Sequence, residues 1–157
     1  MPVTSTSKLS IAVELLTCAI ELHLRGDAFY AAIHLAGAAE EVLNVYTREI
    51  ELSDGSRMKP SFDQFKEALV LVLNPKSAAE QEDAEKWAFN RMTWAKNSVK
   101  HMRGARDLHL QLDAEVEAED IIDRAVTTYL QIRPTAGLPL VHLIQLFDNA
   151  RQGKSDR

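Results

Sequence analysis

A single cysteine, Cys18, excludes an internal disulfide and any cysteine-built metal site. Six glycines and five prolines in 157 residues are too few for a collagen-like or low-complexity chain. No uninterrupted apolar run approaches the roughly 20 residues that cross a bilayer. The opening MPVTSTSKLS has one Lys and no apolar stretch ahead of a small-residue cleavage site, which argues against a secretory signal. The expectation is a cytoplasmic protein with no membrane attachment. The patterns His-Glu-x-x-His, Gly-x-Gly-x-x-Gly and the phosphate loop are absent, as are the Glu-x-x-His pairs of di-iron bundles. No metal or cofactor is therefore expected. Lys and Arg number 18 against 23 Asp and Glu, a net charge of −5. The chain as a whole does not attract nucleic acid, and any basic contact surface must be local.

Helical periodicity is what the chain does have. At 46% hydrophobic and 26% charged residues it is long enough to bury a core as one globular domain, residues 1–157. Leu9, Ala12, Val13, Leu16, Ala19 and Ile20 recur at helical spacing, and Arg25-Gly26-Asp27 reads as a stop followed by a new cap. A second, Ala-rich segment runs from Ala28 to about Leu52. Ser61 with Gln64 and Ser77 with Glu80 read as capping boxes opening a third and a fourth helix. The third stops at Asn74-Pro75 and the fourth near His101 or Met102, ahead of Gly104. Asp113 caps a fifth helix that Pro134 closes near Ile132, and a short apolar helix spans about 139–151, with 152–157 as tail. No alternating strand pattern of useful length and no internal repeat is present. The fold class that follows is all-α, an antiparallel bundle of four to five helices over about 7–132 plus a C-terminal helix. That last helix has too little polar face to stand alone, so it fills a groove of its own bundle or helps form a homodimer.

Two helices carry residues that suggest chemistry. On the fourth, Ala88, Met92, Ala95, Val99 and Met102 share an apolar face with Trp87 and Trp94 at its edge, while Phe89, Lys96, Lys100 and Arg103 lie opposite. Asn90, Asn97 and His101 lie on the flank beside Trp94, Asn97 and His101 four residues apart. Arg91 falls inside the apolar arc and calls for a carboxylate partner. On the second helix, Ala31, Leu35, Ala38, Val42 and Val45 form the expected core stripe. Glu41 then sits near the core edge with Glu40 further round, placing an acid opposite Arg91 or His101. A structural Arg91–Glu41 ion pair is the plainer of these readings. Cys18 reads as a buried, inert thiol, and the two tryptophans as packing at the edge of the core.

The stretches LAGAAEEVL (35–43) and KNSVKH (96–101) together resemble the HEPN (higher eukaryotes and prokaryotes nucleotide-binding) superfamily. By helix order the resemblance covers about 8–132. It implies a four- to five-helix bundle, often dimeric, with a hallmark Arg, often followed by a polar residue, then four to six residues and His. Many members are metal-independent ribonucleases, often toxins, and others are inactive RNA- or nucleotide-binding modules. His101 matches the family's His and Asn97 its polar residue, and Glu40 or Glu41 matches the acid of the second helix. Lys96 stands where Arg is expected. The implied chemistry has His101 taking the ribose 2′-OH proton while Lys96 stabilises charge on the phosphate. A Lys presents a point charge rather than the planar fork of Arg. The reading adopted is therefore a module that binds RNA, a nucleotide or a cognate protein such as an antitoxin without cutting. The alternative is a metal-independent, toxin-like endoribonuclease using Lys96, Asn97, His101 and Glu41. Lys100, Arg103 and Arg106 extend the basic strip as candidate phosphate contacts, although cations in a last helical turn also complement the helix dipole.

Overall fold

A computed structural model describes residues 5–101 and 108–155. Among the described residues the fold is all-α, with six helices and no strand beyond one isolated bridge between Glu51 and Arg57. No described helix is long and apolar enough to cross a membrane.

The order is α1 (Lys8–Arg25), α2 (Phe29–Glu49), α3 (Ser61–Leu73), α4 (Ala78–Lys100), α5 (Ala114–Ala136) and α6 (His142–Ser155). Gly26 ends α1 in the left-handed region, at φ 73°, and its N–H donates to the His23 carbonyl at 3.0 Å. Three residues later α2 begins, so the second helix runs back along the first. Asp27 does not cap it; the Asp27 carboxylate pairs instead with Arg25 at 3.1 Å. Asp113 caps α5 as its position predicts, accepting the Val116 N–H at 3.2 Å. Ser77 accepts the Glu80 N–H, but the Glu80 carboxylate reaches past it to the Lys76 N–H at 2.6 Å. Ser61 forms no capping box: Pro60 is the cap, and the Ser61 N–H donates to Thr128 of α5 at 3.1 Å. Pro134 does not close α5 either. The helix continues to Ala136 because Gly137, at φ 62°, turns the chain so that the Leu138 N–H reaches the Arg133 carbonyl at 3.0 Å.

α1, α2 and α5 build the main core. Leu16 and Ile20 of α1, Ile33 and Leu43 of α2, and Ile121, Ile122, Val126, Tyr129 and Ile132 of α5 belong to one buried cluster. Alanines at 12, 19, 32, 36 and 39 keep the helix surfaces low, so the helices approach closely. A separate small cluster of Val70, Ala84 and Ala88, with Leu69 against it, joins α3 to α4. α6 lies in a groove of this same chain. Ile144 and Phe147 are buried in the main core, and Arg151 ties the helix to α5 through Asp123 and through Thr127 at 2.9 Å. Leu146, on another side of the helix, remains exposed. Cys18 is exposed rather than buried, because it shares the outer face of α1 with Glu14 and Glu21 while Leu16, Ala19 and Ile20 point inward.

Phe147→Ala removes a large side chain from the main core and should cost about 3–4 kcal/mol, lowering the melting temperature by roughly 10 °C. Calorimetry reads this directly; a shift below about 2 °C would show that α6 is not part of the cooperative core.

Candidate functional site

α2 is rotated relative to the expected stripe. Ala31 and Val45 face outward, and the buried set is Ala32, Ile33, Ala36, Gly37, Ala39, Glu40, Leu43, Asn44 and Thr47. The rotation turns Glu40 into the core, with no exposed surface, and leaves Glu41 at the rim. A carboxylate with no water must be met by cations or give up its charge. Two arrive. Arg124 of α5 donates from Nε to Glu40 Oε1 at 2.7 Å, and Lys96 of α4 places its ammonium 3.3 Å from Oε2. Arg124 also donates to the Met92 carbonyl at 3.4 Å.

Lys96 is thereby the reverse of its expected place opposite the apolar face: it is 5% exposed. Its ammonium also lies 3.3 Å from Glu41 and 5.7 Å from the Phe62 ring centroid. Gly37 makes this possible. A Cβ there would sit 3.1 Å from Lys96 Cβ and 3.2 Å from its Cδ, so any larger residue would push the lysine stem back from α2 by a few tenths of an ångström. Glu41 joins Lys96 to Lys100, 3.4 Å away. Burial pushes the Glu41 carboxyl up, but the two ammonium groups outweigh it and hold it below its ordinary range. In all, three cations (Lys96, Lys100, Arg124) meet two carboxylates (Glu40, Glu41), with Asp120 facing Arg124 from the same crevice and Lys100 at the outer edge.

His101 lies elsewhere. α4 stops at Lys100, and His101 is its extended C-cap, exposed, with its N–H bonded to the Asn97 carbonyl at 3.1 Å. It opens onto a cleft of about 430 Å³ lined by Tyr30, Ser98, Lys100, His101, Leu108 and His109. Lys96 and Asn97 do not line this cleft. Tyr30 stands in the first turn of α2, whose end has no side-chain cap. The structure thus brings His101 together with Lys100, and brings Lys96 together with Glu40 and Glu41, but the two groups face different spaces. Arg103 and Arg106, with Met102 and Gly104, lie outside the described residues.

The Arg91–Glu41 pair is not formed. Arg91 is half exposed and pairs with Glu117 of α5 at 3.1 Å, because α5 rather than α2 flanks that side of α4. Trp87 and Trp94 stand at the edge of the helix, 50% and 38% exposed. Among the described residues no group of three or more His, Cys, Asp or Glu side chains is placed to hold a metal ion. Arg124 was missed from the sequence, although a signal existed: it lies three residues after Ile121 and four before Thr128, a charged residue on the apolar stripe of α5. Compared with known protein families, with curated proteins and with solved structures, the chain matches none.

Removing Glu40 leaves two buried cations facing each other, so Glu40→Ala should destabilise by about 3–5 kcal/mol in urea unfolding. A loss under about 1 kcal/mol would mean that water already reaches the site. Glu41 gives a pH signature. Its folded carboxyl holds a proton less tightly than the unfolded one, so its stabilisation is present above the ordinary value of 4.5 and is lost as pH falls through the folded value. Glu41→Gln should therefore lose stability less steeply than the parent between about pH 5 and pH 3. Parallel profiles would refute the assignment.

Proposed function

We propose that the chain is a non-catalytic module of HEPN type and that the His101 cleft binds the phosphate of a nucleotide or of single-stranded RNA. The observation that carries this reading is the separation of the two halves of the basic-to-His motif. The lysine that would stabilise a cleaved phosphate is buried and neutralised by carboxylates, whereas the histidine lies in an open cleft beside Lys100 and His109. A general base without a cation opposite the reacting phosphate has little with which to stabilise the transition state. It can still hold a phosphate.

The cleft has the means to do so. Lys100 brings a partly exposed ammonium group to its wall. The two imidazoles add hydrogen-bonding groups. The Tyr30 ring offers a stacking surface for a base. A site of this composition suits a phosphorylated nucleoside better than a protein segment, and the acidic chain as a whole makes weak, salt-sensitive binding the expectation.

Fluorescence anisotropy with a labelled single-stranded oligoribonucleotide, and competition by nucleoside monophosphates at low salt, test this. Binding should weaken about tenfold in His101→Ala and in Lys100→Ala, while Lys86→Ala, in the first half of α4 where the lysine pairs with Glu82, leaves it unchanged. The oligonucleotide should stay intact in the presence of a chelator. Cleavage that disappears in His101→Ala would overturn the reading in favour of an endoribonuclease, and absence of any binding would overturn it outright.

A further inference from the structure

α3 does not belong to the main core. Its own buried contacts are Phe62, Val70 and Ser61, and Val70 sits in the small cluster shared with α4. Leu71 and Val72 at its far end are 77% and 82% exposed. Non-helical segments, 50–60 and 74–77, join it to its neighbours on both sides, so it can shift without unwinding α2 or α4. A crevice of about 240 Å³ already parts it from α5, with Phe65 and Leu69 on one wall and Met92, Asp120 and Arg124 on others.

What α3 covers is polar. Phe62 lies over the Lys96 ammonium, and the Ser61 N–H rests on Thr128. Beneath them is the Glu40–Lys96–Arg124 layer. One turn along α2 from Glu40, Asn44 is buried with its side-chain oxygen unpartnered. Uncovering such a layer costs less than uncovering the aliphatic core, because water can solvate three charges and one orphaned amide. The hold on α3 from α2 is a two-pronged ion pair at the surface, Arg48 Nε and Nη2 to the two oxygens of Asp63, each 2.8 Å.

We infer that α3 is a latched cover. It opens as a unit about its two flanking segments while α1, α2, α5 and α6 stay folded, and it admits water and small solutes to the Lys96 and Arg124 side chains. Arg48–Asp63 is the latch and Phe62 the plug. The exchange-competent unit is α3 together with its contacts on the first half of α4, where Ala84 and Ala88 depend on it for cover. This inference is independent of whether the His101 cleft binds a nucleotide.

Two readouts on the full chain test it together: hydrogen exchange of backbone amides, and acylation of lysines by the water-soluble reagent N-hydroxysulfosuccinimidyl acetate followed by peptide mass spectrometry. In the parent protein the amides of 64–73 should exchange at least about tenfold faster than those of α5, after correction for intrinsic rates. Lys96 should be acylated slowly but faster than global unfolding allows. Arg48→Gln, a surface change, should speed α3 exchange and Lys96 acylation in step, by about fivefold, and alter α1 and α5 amides less than about twofold. Phe62→Ala should do the same by about tenfold or more. Equal protection of α3 and α5 would overturn the cover. Faster α3 exchange with unchanged Lys96 acylation would overturn the claim that α3 guards the layer. Unchanged α3 exchange in Arg48→Gln would overturn the latch.

Discussion

The fold turns on one carboxylate. Glu40 has no contact with water, and it keeps its place only because α5 supplies Arg124 and α4 supplies Lys96. A charge in that position is costly when alone and tolerable when surrounded, so it acts less as a source of stability than as a condition on the arrangement of three helices. α2 must turn its Glu40 face toward α4 and α5. α4 must pass close enough for a lysine stem to lie on Gly37. α5 must carry its arginine into an otherwise apolar stripe. Any other rotation of α2 would bury alanine just as well but would strand the cations.

The same constraint shapes what the surface offers. Lys96 and Glu40 are absorbed by the interior, and the residues that remain accessible nearby are Glu41 at the rim and Lys100 just beyond it. Lys100 stands at the α4 terminus, where the helix hands over to His101 and the cleft with Tyr30 and His109. In this arrangement the interior network and the open cleft are connected through Glu41, which touches both lysines.

Stability is divided unevenly. The aliphatic faces of α1, α2 and α5 interlock with Ile144 and Phe147 of α6 in one cluster, while α3 and the start of α4 share three buried residues. The boundary between the two runs along the polar layer. A bundle built this way has a rigid half and a half that rests on an ion pair, an aromatic ring and a few small side chains.

The six helices were legible in the chain, because periodicity, the Gly26 break and the Asp113 cap are local signals that the structure realises within a few residues. The α4 core face of Ala88, Met92 and Ala95 was legible for the same reason. The direction in which α2 faces was not. Its alanines are spread round the helix, so residues 31, 35, 38, 42 and 45 made as good an apolar stripe as residues 32, 36, 39 and 43. Lys96 was placed opposite the core on the rule that charges face water, and the ring of Glu40, Glu41 and Phe62 reverses that rule. Arg91 and Cys18 were read inward and lie outward. The sequence by itself determined where the chain is helical, since that depends on neighbours within one or two turns. Only the tertiary structure decided which faces turn inward and which cation meets Glu40, since those partners lie 56 and 84 residues away and their charges settle a choice that local hydrophobicity left degenerate.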